Sequence, residues 1–362
     1  MGGSYEAADG VGLSGRLSAA LPGADAERTH DRGRVFTDIA VAIADGGTRI
    51  TDIATAGDQE ELFGAVASVP TAWRALQAAG EEERLAAVAA ARAAVRAHVW
   101  EQITARHGRI PPCTVAGKDL GDMIVIRLDA SIVIAHSDTE LADRTFTKTV
   151  GHHPLTAWCD TTGELLAVTL RPGNAGSNTA ADHIEVLTAA IAQIPAPYRR
   201  KLLVTVDGAG STHALVDVIA KLHADPDNGV EIHYAVGFDL DERGRTAIGT
   251  VPARAGEPAL DAEGTPRKGA AVAELTGLYP TDSHGDRLKG CRRTCGTGPQ
   301  GATAPGCAAV AVRTSTRATG SSSPPPTCPA GRCSFSRPAT RPRPGSRTGS
   351  AARRRRTCAG CR

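Results

Sequence analysis

The sequence predicts an α/β protein whose elements run β-β-β-α-β-α-β, with a small helical region before them and a disordered tail after. Three observations predict it. Short apolar, β-branched runs recur between residues 123 and 238, and two stretches between them repeat their apolar residues at helical spacing instead. Before residue 110 the clear periodicity is helical. After residue 290 large apolar residues all but vanish.

Residues 1–28 are Gly/Ala-rich, weakly patterned, and read as irregular. Residues 29–110 read as helical. Val35, Phe36, Ile39 and Ile43 recur at helical spacing until Gly46-Gly47 ends the run, and residues 48–56 start another. Residues 70–76 suit a short helix with Pro70 in its first turn. Residues 81–106 form the clearest helix: three Glu open it, which suits the N-terminal dipole, and Leu85, Val88, Val95, Val99 and Ile103 make one stripe. Arg92 falls inside that stripe, either facing a groove or partner or laying its stem along a core edge.

Residues 116–240 then change period. Residues 123–130 read as a buried strand that 131–135 continue, and 154–160 and 164–170 read as two more strands joined at Asp160-Thr161-Thr162-Gly163. Residues 178–194 are a helix with Ile184, Leu187, Ile191 and Ile194 on one face. Residues 201–207 are a strand closed by Gly208-Ala209-Gly210, after which Ser211 or Thr212 caps a helix reaching His223. Residues 230–238 are the last strand, and 241–290 are polar and loop-rich. An antiparallel meander followed by βαβαβ makes a mixed sheet with helices on its faces, the order of the RNase H-like fold.

Two carboxylates stand out by position. Asp129 sits among Ile and Leu in the first strand; Asp207 ends the fourth, before a Gly-rich turn. A charge within an apolar strand is costly unless paired, hydrogen-bonded or metal-bound. In an RNase H-like sheet these strands are neighbours, so the two carboxylates would stand side by side and repel. A hard divalent cation relieves that repulsion. An Asp at a strand end is also a common turn former, so Asp207 alone admits both readings; Asp129 does so less readily.

Other residues point less clearly to chemistry. His152-His153 would face opposite sides of a strand and reads as a surface pair. Asp182-His183 on a helix reads as structural. Ser211 and His213 follow Asp207 without the setting of a catalytic triad. Gly208-Ala209-Gly210 lacks the spacing and the Lys of a nucleotide loop. Arg199, Arg200 and Lys201 form a basic cluster able to touch phosphate, or a solvated loop.

Composition splits the chain. Residues 291–362 hold 14 Arg and no Lys, Asp, Glu, His, Leu or Ile; the remainder holds 27 Lys and Arg against all 39 Asp and Glu, beneath a net charge of +2. Such a tail cannot bury enough surface to offset chain entropy. Seven of nine Cys lie in it, among them Cys358-Ala359-Gly360-Cys361, but without His or regular spacing they read as incidental rather than as a zinc site. Cys113 and Cys159 alone serve the body, which excludes a secreted disulfide scaffold. There is no apolar run of the roughly 18 residues a membrane span needs, and the N-terminus lacks the basic start and apolar core of a signal peptide. The expected location is the cytoplasm.

At this point the sequence resembles DDE transposases of insertion sequences from high-GC bacteria, which have an RNase H-like catalytic domain. The segments that carry the resemblance are HDRGRVFTDIAVAIADG (30–46), FGAVASVPTAWRAL (63–76), AGKDLGDMIVIRLDASIVIAHSDTE (116–140), GHHPLTAWCDTTGELLAVTLRPGNAGSNTAADHIEVL (151–187), RRKLLVTVDGAGSTHALVD (199–217) and VAELTGL (272–278). Together they cover roughly residues 28–290, and the 151–187 segment is the most specific.

The resemblance implies DNA transposition: water or a DNA 3′-hydroxyl attacks a phosphodiester, with Mg²⁺ (or Mn²⁺) held by two Asp and one Glu. Asp129 would match the family's first Asp and Asp207 its second. The N-terminal helices would match the part that binds the element's ends, and 241–290 the start of an insertion after the fifth strand. DNA, as element ends and target, would be the partner, with self-association or association with intact transposase. The family's Glu lies in a later stretch resembling ARVEDRI. No Asp or Glu follows Asp286 here, and Glu274 lies in a different family segment.

An out-of-frame tail accounts for this. One GC-rich set of synonymous codons for residues 331–351, read from its third base, encodes a stretch containing ARVEDRI. The tail is thus compatible with a frame change near Gly290-Cys291. The expected protein is a transposase that lost its third carboxylate. The alternatives are a non-catalytic DNA-binding remnant, a simple metal-dependent nuclease, and a pseudogene product.

Overall fold

The computed structural model describes residues 2–23, 30–136, 138–176, 179–207, 210, 212–225, 229–237, 242–275, 278, 287–293 and 310–313. Ser211, the Gly208-Ala209 pair and Cys358 and Cys361 lie outside the described residues.

The N-terminal region holds α1 (Gly2–Gly10), α2 (Leu13–Ala20), α3 (Arg32–Ala44), α4 (Ile53–Gly57), α5 (Glu60–Phe63), α6 (Val69–Ala79) and α7 (Glu82–His107). The first two helices replace the expected irregular N-terminus; Tyr5, Leu17 and Leu21 bury against their neighbours, contacts too few to show as periodicity. Asp31 caps α3 by accepting from the Arg34 amide at 2.8 Å, and Gly46-Gly47 follow its end. Its buried face differs from the expected stripe. Val35 and Val41 are inside with Thr37 and Asp38, whereas Ile43 is 63 % exposed. The stripe expected on α7 is displaced too: Ala91, Arg96 and Trp100 are its buried residues, and Leu85 is exposed.

The central elements are β1 (Thr114–Val115), β2 (Lys118–Asp119), β3 (Ile124–Ala130), β4 (Val133–Ile134), β5 (Asp143–Arg144), β6 (Val150–His152), β7 (Leu155–Cys159), β8 (Glu164–Thr169), α8 (Ala180–Gln193), β9 (Lys201–Val206), α9 (His213–Ala224) and β10 (Glu231–Val236). Five of the strands form one mixed sheet in the order β10-β9-β3-β7-β8. The β3-β7-β8 meander is antiparallel, and β9 and β10 run parallel to β3. This is the RNase H-like order expected from the sequence. Its core joins Ile126, Leu128, Leu155, Val204 and Val206 to Leu187 and Ala190 of α8 and Leu215 and Ile219 of α9, with Trp100 of α7 packed in.

β3 stops earlier than expected. Its last pair with β7 is Ala130 with Leu155, and the next residue on β7's side is Pro154, which has no amide hydrogen to extend the ladder. The chain therefore leaves the sheet, and β4, β5 and β6 form a separate three-stranded sheet in the order β4-β6-β5.

Residues 241–290 are more ordered than their polarity suggests. They contain α10 (Glu242–Thr250), β11 (Glu257–Leu260), β12 (Pro266–Glu274) and the start of β13 (Arg287–Arg293). With β14 (Val310–Arg313) these strands form an antiparallel sheet, so two pieces of the expected tail are strands. Backbone pairing supplies them; it needs no apolar side chains. The rest of the tail lies outside the described residues.

Candidate active site

The parallel pairing of β3 and β9 ends at Leu128 opposite Val206. Asp129 and Asp207 are the next residue on each strand. They stand at adjacent positions at one end of the sheet, on strands whose neighbours lie about 4.8 Å apart. Both are exposed. This corrects the setting expected for Asp129: it is the penultimate residue of its strand and opens to solvent, so no burial cost has to be offset there. Thr156 of β7 donates its hydroxyl to the Asp129 carbonyl at 2.8 Å and pins that strand end.

His183 buttresses the Asp207 turn. It is buried on the first turn of α8, and its Nδ1 lies 2.9 Å from the Thr179 carbonyl. Burial pulls its pKa down, and the Asp207 charge opposes that only in part, so the ring is held toward its neutral form. Nδ1–H then donates to Thr179 and Nε2 faces the turn. A Cβ on Gly210 would fall 2.5 Å from that Nε2 and 2.5 Å from Val206 Cγ1. The Gly210 amide donates to the Asp207 carbonyl at 3.2 Å, closing the turn against the ring.

Arg171 holds α8 in place. Its Nε donates to the His153 carbonyl at 3.0 Å; its Nη1 reaches Gly176 O at 3.2 Å and Asp182 Oδ2 at 3.1 Å. It is 3 % exposed. The structural reading of Asp182 and His183 agrees with this arrangement. Nothing in the periodicity pointed to Arg171, since a charged residue after a strand normally reads as solvated loop.

The histidine pair departs from expectation. His152 and His153 are both buried, the first with Nε2 at 2.9 Å from Glu140 O and the second with Nδ1 at 3.2 Å from Ala175 O. The small β4-β6-β5 sheet and the segment after β8 cover both faces of a strand that otherwise would show one to water.

The basic cluster lies elsewhere. Lys201 opens β9 and Asp207 follows its end, so roughly 20 Å of strand separate them. Arg199 donates to the carbonyls of Ile194 and Ala192, and Lys201 pairs with Asp122 at 3.5 Å. These residues close the β9 end of the α8 connection and do not join the Asp pair. Arg92 is settled as well: it donates to Leu165 O at 2.6 Å on the sheet edge. Thr212 is the cap of α9, accepting from the Leu215 amide at 3.2 Å. Glu274 ends β12, in a different sheet from the Asp pair.

Among the described residues no group of three or more His, Cys, Asp or Glu is placed to hold a metal. Asp129 and Asp207 are two hard oxygen donors at neighbouring exposed strand ends, and they fit a divalent cation such as Mg²⁺ as part of a ligand set. Among the described residues no helix is long and apolar enough to cross a membrane.

The family model for transposase DDE domain group 1 matches residues 5–268. Solved structures with detectable similarity include the Mos1 transposase paired-end complex with left transposon end, at 11 % identity and a TM-score of 0.21, covering 58 % of this chain and 61 % of that one. Another is the Mos1 mariner paired end complex with Mn, at 14 % identity and a TM-score of 0.21, covering 59 % of this chain and 62 % of that one. The chain thus spans about three fifths of the length of the structures it matches. No curated protein matches the sequence.

Proposed function

The chain belongs to the group 1 family of transposase DDE domains, and from that premise we propose that it is an insertion-sequence transposase of bacterial origin whose active site has lost its third carboxylate. The observation that carries the reading is the register that sets Asp129 beside Asp207 at one end of β3 and β9.

Asp129 and Asp207 would hold Mg²⁺ or Mn²⁺. Bound there, such an ion acts as a Lewis acid for the attacking and leaving oxygens of a phosphodiester. The protein's own part is positional: Thr156 fixes the Asp129 backbone, and His183 and Gly210 fix the turn that carries Asp207. The DNA partners are the element's ends and its target. The third acid was lost through a frame change near Gly290-Cys291, which left an Arg-rich, acid-free continuation. Losing one carboxylate of such a clamp removes much of the charge stabilisation on which the reaction depends.

Resequencing the gene from codon 270 past codon 362 and translating all three frames tests this reading. It expects a Leu-containing, acidic helix with ARVEDRI-like residues in another frame. If neither other frame encodes one, the tail is genuine, the frame-change reading fails, and the third acid must be sought within residues 1–290.

A second reading is favoured by the missing third acid among the described residues: a non-catalytic DNA-binding remnant. It expects retarded element-end DNA in a gel shift and no strand cleavage in Mg²⁺ or Mn²⁺. Cleavage that Asp129→Ala abolishes would instead establish a working metal-dependent nuclease that uses Asp129 and Asp207 with another acid.

A further inference from the structure

Between β3 and β7 the chain builds a rigid hairpin tip that the proposed chemistry does not use. β5 and β6 pair through Asp143 with Gly151 and Arg144 with Val150. The Thr145 amide donates to Thr149 O at 2.8 Å and the Lys148 amide to Thr145 O at 2.9 Å. Three hydroxyls lock the loop from within: Thr145 Oγ1 lies 3.0 Å from Thr147 Oγ1 and 2.7 Å from Thr149 Oγ1, and the latter two are 3.2 Å apart. The base of the hairpin is clamped by the Asn174 amide, which donates to Asp143 Oδ2.

What this tip presents is unusual for a solvated turn. Phe146 is 78 % exposed, the largest exposure among the described large apolar side chains. Its ring leans edgewise on buried His153, with centroids 5.9 Å apart and planes at 61°, so it is supported while a face stays open. Lys148 adopts φ 65°, a left-handed conformation that hairpin turns of this kind normally give to Gly or Asn. A cation is thus kept at a position where backbone strain disfavours it, an outlier of the sort found at ligand clamps. Arg144 flanks the tip on the other strand. Among the described residues neither Arg144 nor Lys148 carries an ion pair, while the nearby Asp143 carboxylate is occupied by Asn174 and the Arg144 amide.

The base of the excursion lies at the same end of the sheet as the Asp pair. The Ser131 amide, two residues after Asp129, donates to Pro154 O at 3.3 Å, and β4 pairs Val133 with His152. The excursion therefore opens and closes beside Asp129.

We propose that the Thr145–Thr149 hairpin is a nucleic-acid contact in which Phe146 stacks on an unpaired base of the bound DNA while Arg144 and Lys148 hold the flanking phosphates. This rests on the DNA reading above and goes beyond it by naming the strand feature recognised. An exposed aromatic between two cations that carry no ion pair among the described residues is the composition of a base-stacking platform, which accepts any base because every base has a π-face. A preorganised loop contributes because binding then orders little that was mobile. The stiff hydroxyl cluster supplies that order in advance.

The test uses the full chain and two fluorescein-labelled DNA probes, a blunt duplex and the same duplex with a three-nucleotide single-stranded overhang, read by anisotropy across a salt series. The wild type is expected to prefer the overhang about tenfold, the scale of one stacked base. Phe146→Ala abolishes the preference and leaves the melting temperature and the blunt-duplex affinity unchanged; Phe146→Trp keeps it. Lys148→Gly relieves the strained turn, so it melts no lower than wild type, yet it binds both probes more weakly with a salt slope shallower by about one. Binding without preference, or a preference that survives Phe146→Ala, overturns this proposal alone. Failure to bind either probe overturns the DNA reading itself. A dimer that Phe146→Ala converts to monomer in sedimentation shows a second copy covering the ring, which also overturns the proposal.

Discussion

The Arg96 guanidinium on α7 donates from Nε to Glu164 Oε2 at 2.6 Å at the start of β8, with 4 % of the Arg side chain exposed against 33 % of the Glu. Trp100 Nε1 donates to the other Glu164 oxygen at 2.9 Å, and Arg96 Nη1 reaches Gln193 Oε1 at 2.8 Å on α8. One side chain thus ties the helical region to the sheet edge and to the helix that carries His183. Burial raises the Glu164 pKa, but the hydrogen bonds it accepts, from Trp100 and Arg96 among others, outweigh that together with the Arg96 charge, leaving it below the ordinary glutamate range.

Arg96→Ala should therefore cost about 3 kcal/mol, the low end for removing one partner of a buried pair because Glu164 keeps some solvent. A depressed carboxylate pKa stabilises the fold above its unfolded value, and that contribution is lost as pH falls through the folded value. The deficit of Arg96→Ala should accordingly shrink in acid. Urea unfolding at neutral and acid pH checks both; an equal deficit at each would remove the electrostatic explanation.

Asp38, 1 % exposed on α3, accepts from the Tyr5 hydroxyl at 2.7 Å and from Arg34 Nε at 3.1 Å. Burial raises its pKa, with Tyr5 and Arg34 pulling back. A raised carboxylate costs stability above its folded pKa and nothing below its unfolded one. Tyr5→Phe withdraws a donor from the ionised form, so the expected loss is about 1–3 kcal/mol at neutral pH, diminishing as Asp38 protonates. Thermal melts at two pH values read this directly.

Gly210→Ala drives a Cβ into His183 and Val206. It should destabilise by about 1–3 kcal/mol as overpacking and weaken Mn²⁺ binding measured by electron paramagnetic resonance, because the Asp207 turn must shift. Adding His183→Ala makes room, so the double variant should recover at least about 1 kcal/mol relative to additivity. Strict additivity would show that the ring does not set the turn.

Gly33 lies inside α3, where Gly→Ala ordinarily gains about 1 kcal/mol of helix propensity. Its Cβ would fall 2.1 Å from the Ser18 amide nitrogen on α2. The sign should reverse, with Gly33→Ala losing about 1–3 kcal/mol. Chemical denaturation gives the sign, and a stabilised variant would mean that α2 is free to move away.

The strands of the five-stranded sheet and the helices packed on it were legible because each of them buries a continuous apolar run or a wide helical stripe. Expected and observed ends of β7, β8, β9 and β10 differ by only one or two residues. The N-terminal pair α1 and α2 was not legible: its helices bury one or two side chains each, among many Ala and Gly. The α7 face was misread for another reason. One of its three buried positions is an arginine, Arg96, which a hydrophobic pattern counts as solvent.

Residue order along the chain was enough to establish that an antiparallel meander precedes two parallel strands, and that Asp129 and Asp207 belong to strands fated to be neighbours, though it put Asp129 inside its strand rather than near its end. Strand periodicity has a period of two and registers local burial, so it reports such things directly. Pairing across the fold is a different matter. Whether β3 continued past Ala130 depended on Pro154 arriving opposite it without a donor, and whether Asp129 was buried depended on that ending. The burial of His152, the closure of the Asp207 turn by His183, and the stand of Phe146 in solvent likewise rest on contacts between segments distant along the chain. Such contacts leave no local mark in composition or spacing, because the partner that satisfies each group is chosen by packing and not by sequence neighbours.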